Sequence, residues 1–300
     1  MEDRVKISVI MGVYNQRNKE ILSAAIDSVL AQTRKDFEFI IYNDGSDSEI
    51  SKILNDYAKK EPRIHYIENE VNHGLAYSLN SCIDVAKGKY LARMDDDDIC
   101  DPQRLMVQYR YLEEHPEISF VGSSAFLIDE KGQWGIRKMP EYPEKQDFLR
   151  YSPYIHPTVM IRRSVFEEVE AYRATKENWR CEDYELFMRL WKLGYQGYNI
   201  QQPLFYYREN RDSYRKRKLC YRWNETCLRY RNFKKLGLLY PFGWCYVIRP
   251  MVAAVIPSGL ILAVKKLYHF QDKKYARVTE KAIGTISEDF ETKQEIIRSI

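Results

Sequence analysis

The feature that most constrains this chain is an alternation of two periodicities through its N-terminal third. Residues 6–13, KISVIMGV, form an apolar run of strand length. Ile21, Leu22, Ala25, Ile26, Val29 and Leu30 then recur at the spacing of a helix buried along one face. The pattern repeats with FEFIIY at 37–42 ahead of Ile50, Ile53, Leu54 and Tyr57, and with RIHYIE at 63–68 ahead of Leu75, Leu79 and Ile83. KYLARM at 89–94 supplies a fourth strand. Strands separated by helices of this length predict an α/β fold, a mostly parallel sheet with helices on both faces.

In open sheets of this kind ligands sit beyond the carboxyl ends of the strands. The stretch YLARMDDDDICDP, residues 90–102, sets Asp95, Asp96, Asp97 and Asp98 at that end of the fourth strand. Adjacent carboxylates repel and raise one another's pKa, a strain that a bound cation relieves. The competing reading is a solvated loop, with Asp101-Pro102 as ordinary helix-start chemistry. A second acidic loop, YNDGSDSE at 42–49, leaves the second strand on the same side. Two such loops could hold the base and the diphosphate of a nucleotide. Neither GxGxxG after the first strand nor GxxxxGK[ST] occurs, so no glycine-rich cradle is available for phosphate. A diphosphate held without such a cradle needs a metal, and aspartate oxygens suit Mg²⁺ or Mn²⁺.

With 300 residues, 45% hydrophobic and 30% charged, the chain can bury one sizeable core with a smaller region appended, which excludes a disordered protein. The start, MEDRVKISVIMGVYN, has no apolar stretch followed by a small-residue cleavage site, and the expected location is cytoplasmic. Cysteines at 82, 100, 181, 220, 227 and 245 show no CxxC pair, so neither a zinc site nor a disulfide framework is indicated.

The C-terminal part has a different character. Between Arg208 and Lys235 there are eleven Lys or Arg against three acids, interleaved with Tyr214, Tyr221, Trp223, Tyr230 and Phe233. Such a segment suits nucleic acid or a phospholipid surface. Residues 236–264 then carry a single charge, Arg249, but three prolines and three glycines break the run. It is too interrupted for a transmembrane helix. Two readings remain. Short helical pieces could lie in a membrane interface, with Tyr240, Trp244 and Tyr246 at headgroup level between Lys234-Lys235 and Lys265-Lys266, or the segment could be a hairpin buried against the rest of the protein.

The stretches SVIMGVYNQ, IYNDGSDSE, NHGLAYSLNSCIDVAKGKYLARMDDDDICDPQRL, HPTVMIRRSVF and CEDYELFMRL, in this order and at these separations, resemble the inverting glycosyltransferases of family 2, which have the GT-A fold. The resemblance covers roughly residues 5–210. It implies that Val13, Tyr14 and Asn15 line a base pocket and that Asp44 hydrogen-bonds the uracil ring. The family's Asp-Asp-Gly-Ser is Asn43-Asp44-Gly45-Ser46 here. Arg93 is implied near the donor, and Asp95-Asp96-Asp97 is the family's Asp-x-Asp, with Asp95 facing the ribose or sugar and joining Asp97 at the metal. Asp96 is counted with the donor-binding loop, Asp98 is expected against the donor sugar and His156 near the diphosphate, while His73 and His115 are expected to be structural. Asn210 stands where a further metal-ligating histidine is expected. Asp183 is the implied general base, the alternative for Glu182-Asp183 being helix-start acids alone. Trp179 and Glu182 are expected on the acceptor side.

The reading that follows is a metal-dependent transferase moving sugar from a UDP-linked donor, with Mn²⁺ or Mg²⁺, onto a lipid-linked or polysaccharide glycan at the inner face of a membrane. Residues 1–210 would form the catalytic domain and residues 211–300 a basic, amphipathic helical region that associates with anionic lipid, without nucleic acid as a partner. The rivals are a sugar-nucleotide nucleotidyltransferase, which lacks its glycine-rich, lysine-bearing loop here, a catalytically inactive nucleotide-binding scaffold on a membrane, and a nucleic-acid binder.

Overall fold

A computed structural model describes residues 5–209 and 219–256. The four alternating units form as the periodicity predicts: β1 (Ile7–Val13), α1 (Lys19–Leu30), β2 (Phe37–Asp44), α2 (Ser48–Lys60), β3 (Ile64–Asn69), α3 (Leu75–Val85) and β4 (Tyr90–Met94). They pair in parallel in the order β3-β2-β1-β4. Val9, Met11, Val13, Phe39 and Ile41 pack on one face with Leu22, Ile26 and Leu54 of α1 and α2. Ile10, Ile40, Tyr42 and Leu91 pack on the other with Leu79 and Cys82 of α3. Burial from both sides is why these strands read as continuous apolar runs and not as alternating ones. Asn18 and Asp47 start α1 and α2 by accepting from the N–H of Ile21 at 2.9 Å and of Ile50 at 3.0 Å, satisfying donors that the helix itself cannot.

Beyond β4 the sheet becomes mixed. The chain continues through β5 (Ile99–Cys100), α4 (Arg104–Glu114), β6 (Ile118–Asp129), β7 (Gly132–Arg137), β8 (Met160–Arg162), α5 (Arg163–Glu168), α6 (Glu182–Lys192) and β9 (Gln196–Arg208). In the sheet the order runs β4-β8-β6-β9-β5, with β7 on β6. β8 is antiparallel to both β4 and β6, while β6 and β9 are parallel. The reversal of β8 matters for the site. Met160 lies opposite Ala92 and Arg162 opposite Tyr90, so the residues just before β8 stand at the carboxyl end of β4.

The last described elements are α7 (Leu219–Leu236) and α8 (Gly243–Val255). Leu228 and Phe233 of α7, Leu238, and Val247 of α8 are buried in the same cluster as α3 and α6. The turn between the helices is tight. A Cβ at Gly243 would stand 1.8 Å from the Leu238 carbonyl oxygen, a space only glycine leaves open. The outer side of the hairpin is different, because Tyr240, Phe242, Trp244, Ile248, Val252 and Val255 are exposed. The hairpin is thus buried on one face and apolar but exposed on the other. Among the described residues no helix is long and apolar enough to cross a membrane. Asn210, residues 211–218, residues 257–264 and Lys265-Lys266 lie outside the described residues.

Candidate active site

The loops after β1 and β2 are tied together. Asn15, held at a positive φ of 46°, receives a hydrogen bond on its side chain from the Asp47 N–H at 2.8 Å, and its own N–H donates to Ser46 Oγ at 3.0 Å. Val13 is buried beneath them and Tyr14 is exposed. Asp44 ends β2 almost wholly buried, its carboxylate accepting from the backbone N–H groups of His73 and Gly74 at 2.7–3.1 Å. It thereby fixes the start of α3, whose flanking residue Gly74 has no side chain to do so. Asn43 explains its own departure from the family pattern. Its amide donates to Ser51, Tyr66 and Glu68, and an aspartate there would face the Glu68 carboxylate without a proton to share.

The four-aspartate loop is braced from three directions. Arg104, fully buried, donates to the Arg93 carbonyl at 2.7 Å. The Arg208 N–H, at the end of β9, donates to Asp98 Oδ1 at 2.6 Å, and its Nε donates to the Asp97 carbonyl at 2.8 Å. Gln16 reaches the Asp96 carbonyl at 3.5 Å. The result gathers Asp95, Asp97 and Asp98, with carboxylate oxygens within 4.8 Å of one another. Asp98 is buried, and burial followed by the charges of Asp97 and Asp95 pushes its pKa well up. Its Oδ2 and the Nε of buried Arg93 have no hydrogen-bond partner among the described residues. Arg93 pairs with Asp95. A buried carboxylate oxygen without a partner inside a cluster of three carboxylates fits a hard divalent cation, and an unsatisfied guanidinium N–H beside it fits an anionic oxygen.

The turn His156–Thr158 precedes β8, and the antiparallel pairing brings it against Arg93, whose N–H donates to the Val159 carbonyl at 2.9 Å. His156 Nε2 lies 2.7 Å from the Tyr172 hydroxyl. Burial, then the Arg93 charge, lowers the His156 pKa well below its usual range. Asp183, in the first turn of α6, is pushed up to about 6 by burial and then by Glu182, and burial raises Glu182 as well. The residue preceding α6 is Cys181, which makes no side-chain capping bond. Trp179 is 40% exposed, and its Nε1 sits 3.8 Å from the position of a Cβ on Gly74, so the segment before Asp183 reaches the Asp44 end of α3. Arg180 next to it has a φ of 68°.

The structure therefore brings together most of the residues singled out in the sequence and adds others. Asp98 stands in the same carboxylate cluster as Asp95 and Asp97. His73, set aside as structural, stacks on Tyr77 with ring centroids 4.6 Å apart at the rim beside Asp44, whereas His115 pairs with Glu117. Tyr172 and Arg208 were not among the residues selected. Arg208 ends the YYR run that the sequence displays, but Tyr172 carries no local signal.

The model of the family described as Glycosyl transferase family 2 matches residues 8–170. EpsE of Bacillus subtilis is 35% identical over 90% of this chain and 95% of its own length. The O-antigen biosynthesis glycosyltransferase WbnJ of Escherichia coli is 32% identical over 72% of this chain and 84% of its own. Among solved structures, S. aureus TarS 1-349 in complex with UDP superposes with a TM-score of 0.57 at 18% identity, covering 76% of this chain and 72% of that one. The mannosyltransferase PcManGT from Pyrobaculum calidifontis, in complex with GDP-Man and Mn²⁺, gives 0.59 at 14% identity over 93% and 84%. At these identities the two structures speak to the fold, which is of GT-A type with a mixed sheet and flanking helices.

Proposed function

The chain belongs to glycosyl transferase family 2, and from that premise we propose that it moves a sugar from a UDP-linked donor, with inversion, onto a hydroxyl of a membrane-anchored glycan in surface-polysaccharide assembly. The observation that carries this reading is that Asp95, Asp97 and Asp98 gather beside Arg93, whose charge also acts on the raised Asp183. Names of relatives support the pathway class, among them the amylovoran biosynthesis glycosyltransferase AmsE of Erwinia amylovora, 30% identical over 70% of this chain.

In this reading Val13, Tyr14, Asn15 and Asp44 bound the base, with Asp44 offering its remaining lone pairs to a ring N–H. Asp95, Asp97 and Asp98 would hold Mn²⁺ or Mg²⁺, with Asp96 in the same loop. When bound there, such a cation would supply positive charge for the diphosphate leaving group. Arg93 adds a second, buried positive charge, and His156 stands with it on the donor side. Asp183 takes the proton of the acceptor hydroxyl while that oxygen bonds to the anomeric carbon and the bond to the diphosphate breaks. Because attack and departure occur on opposite faces of one carbon, the configuration inverts. Glu182 keeps the Asp183 pKa up, which makes it a better base once ionised, and Trp179 offers a flat apolar face to the acceptor.

The residues given roles here all lie within residues 1–210, and the outer face of α8 would supply the surface that meets the membrane. Trp244, Ile248 and Val252 recur every four residues along α8 and are 53, 54 and 56% exposed. With the basic run before them they would seat the protein on anionic lipid at the inner face of the membrane. The test is a donor panel of UDP-, dTDP- and GDP-sugars, followed by nucleotide release with a lipid-linked glycan acceptor and Mn²⁺, with and without EDTA. Release of UDP that EDTA abolishes is expected. Turnover indifferent to chelation would remove the metal, and release of GDP alone would replace the donor.

A further inference from the structure

His156 is held by one hydrogen bond and by packing. Its ring meets Tyr172 and Phe187 edge-on, with centroids 5.4 and 6.2 Å away, and Nε2 lies 2.7 Å from the Tyr172 hydroxyl. The Tyr172 backbone is itself clamped by a single side chain from another element. Asn80 of α3 donates to the Tyr172 carbonyl at 2.8 Å and accepts from the Tyr172 N–H at 3.0 Å. Arg189 of α6 donates to the neighbouring Ala171 carbonyl at 2.6 Å. Two helices thus fix a segment that otherwise runs through irregular chain, and α3 is the helix whose start Asp44 fixes. These hydrogen bonds fix one polar group, because the buried Tyr172 lies in the core with its hydroxyl against the imidazole.

A neutral imidazole carries its proton on one nitrogen, and the partner of the other nitrogen decides which. Burial and the Arg93 charge keep His156 neutral. Burial keeps the Tyr172 hydroxyl protonated, and a phenol O–H facing an imidazole nitrogen is a stronger donor than acceptor. We propose that Tyr172 is a positioning residue for the transfer, donating to Nε2 and so holding His156 as the Nδ1–H tautomer in a fixed orientation, with Asn80 holding Tyr172 in place. The inference rests on the donor-side reading of His156, where an Nδ1–H donor complements an anionic phosphoryl oxygen.

Tyr172→Phe keeps the ring and deletes only the hydroxyl. In the full chain, ring ¹⁵N NMR of the histidines, with His156 assigned by its absence in His156→Asn, should show one tautomer protonated at Nδ1, and in Tyr172→Phe a mixture or the Nε2–H form. The kcat should fall about 10-fold or more, the scale on which lost orienting partners of a functional histidine are felt, while KM for a UDP-sugar stays within about twofold. Asn80→Ala, which leaves the hydroxyl but frees its backbone, should shift tautomer and kcat in the same direction and by less, and it serves as the second variant should Tyr172→Phe lose stability. An unchanged tautomer in Tyr172→Phe, or a shifted tautomer with wild-type kcat while His156→Asn is impaired, overturns the positioning role. A His156→Asn variant with wild-type kcat and KM sinks the donor-side reading of His156 instead, and the NMR result separates the two.

Discussion

At the scale of single residues the site is a problem of unlike environments for like groups. Asp44 spends its carboxylate on two backbone N–H groups, Asp95 pairs with Arg93, and Asp183 is raised by burial and Glu182. Asp183 can accept a proton only when ionised, so kcat should fall as pH drops through about 6, read from a pH profile of nucleotide release at saturating donor. Asp183→Asn should lower kcat by roughly 10² to 10⁴-fold and leave the dissociation constant for UDP unchanged by calorimetry. A parallel loss of UDP affinity would make Asp183 a binding residue. The same shift has a stability consequence. A carboxyl raised in the folded state binds a proton there more tightly than in the unfolded chain, so its contribution becomes unfavourable as pH rises from about 4 to 6. Asp183→Asn should therefore be more stable than the wild type at pH 7.5, by on the order of 3 kcal/mol, with the difference vanishing below pH 4 in urea melts. At the four-aspartate loop, Asp97→Ala should abolish Mn²⁺-dependent UDP binding while the melting temperature does not fall, since it removes one of three half-buried or buried carboxylates that repel one another.

Among the elements, α7 and α8 have a divided allegiance. Phe233 is fully buried in the cluster that also holds Leu79 of α3 and Phe187 of α6, and Asn224 of α7 donates to the Lys176 carbonyl at 2.8 Å, just before Trp179. The helix therefore supports the segment that leads to Asp183. Phe233→Ala should destabilise the protein by about 3–5 kcal/mol in urea unfolding followed by circular dichroism; a loss below about 1 kcal/mol would mean that α7 is not part of the cooperative core. Truncation after Lys235 should still bind UDP, because no donor-side residue lies beyond it, but with a lowered melting temperature. It removes Leu236, Leu238 and Val247 from the second cluster.

For the whole molecule the outer face of α8 sets apolar side chains against water while the residues before it are basic. Two forces should act together on an anionic membrane. Insertion of Trp244, Ile248 and Val252 resists salt, whereas attraction of the basic segment, roughly 1 kcal/mol per residue near the surface, weakens as screening shortens its reach to about 8 Å at physiological ionic strength. The full chain should float with vesicles containing phosphatidylglycerol at low salt and be only partly released at 0.5 M NaCl. Combined Trp244→Glu, Ile248→Glu and Val252→Glu should abolish flotation with UDP affinity intact and the melting temperature only slightly lowered, because all three side chains are more than half exposed and the Trp244 ring meets the exposed Tyr230. A protein that stays in solution at low salt would leave the exposed stripe without lipid as its partner.

The order of strands and helices, their two-sided burial and the placing of Asp44 and the four aspartates at carboxyl ends were legible in the sequence, since each depends on periodicities within a dozen residues and on parallel pairing between successive units. The resemblance placed Arg93, His156 and Asp183 in one site before any coordinates did. What the chain did not disclose locally was decided by contacts between distant residues. Arg208 meets Asp98 across 110 positions of sequence, Asn80 meets Tyr172 across 92, and the direction of β8, which carries His156 to the end of β4, follows from which strands it can pair with after the chain has folded back. Which face of α8 is core was equally hidden. Apolar residues run all round that helix, so hydrophobic pattern could not choose a side, and only the cluster left uncovered by α3, α6 and α7 fixed Val247 inward and Trp244 outward.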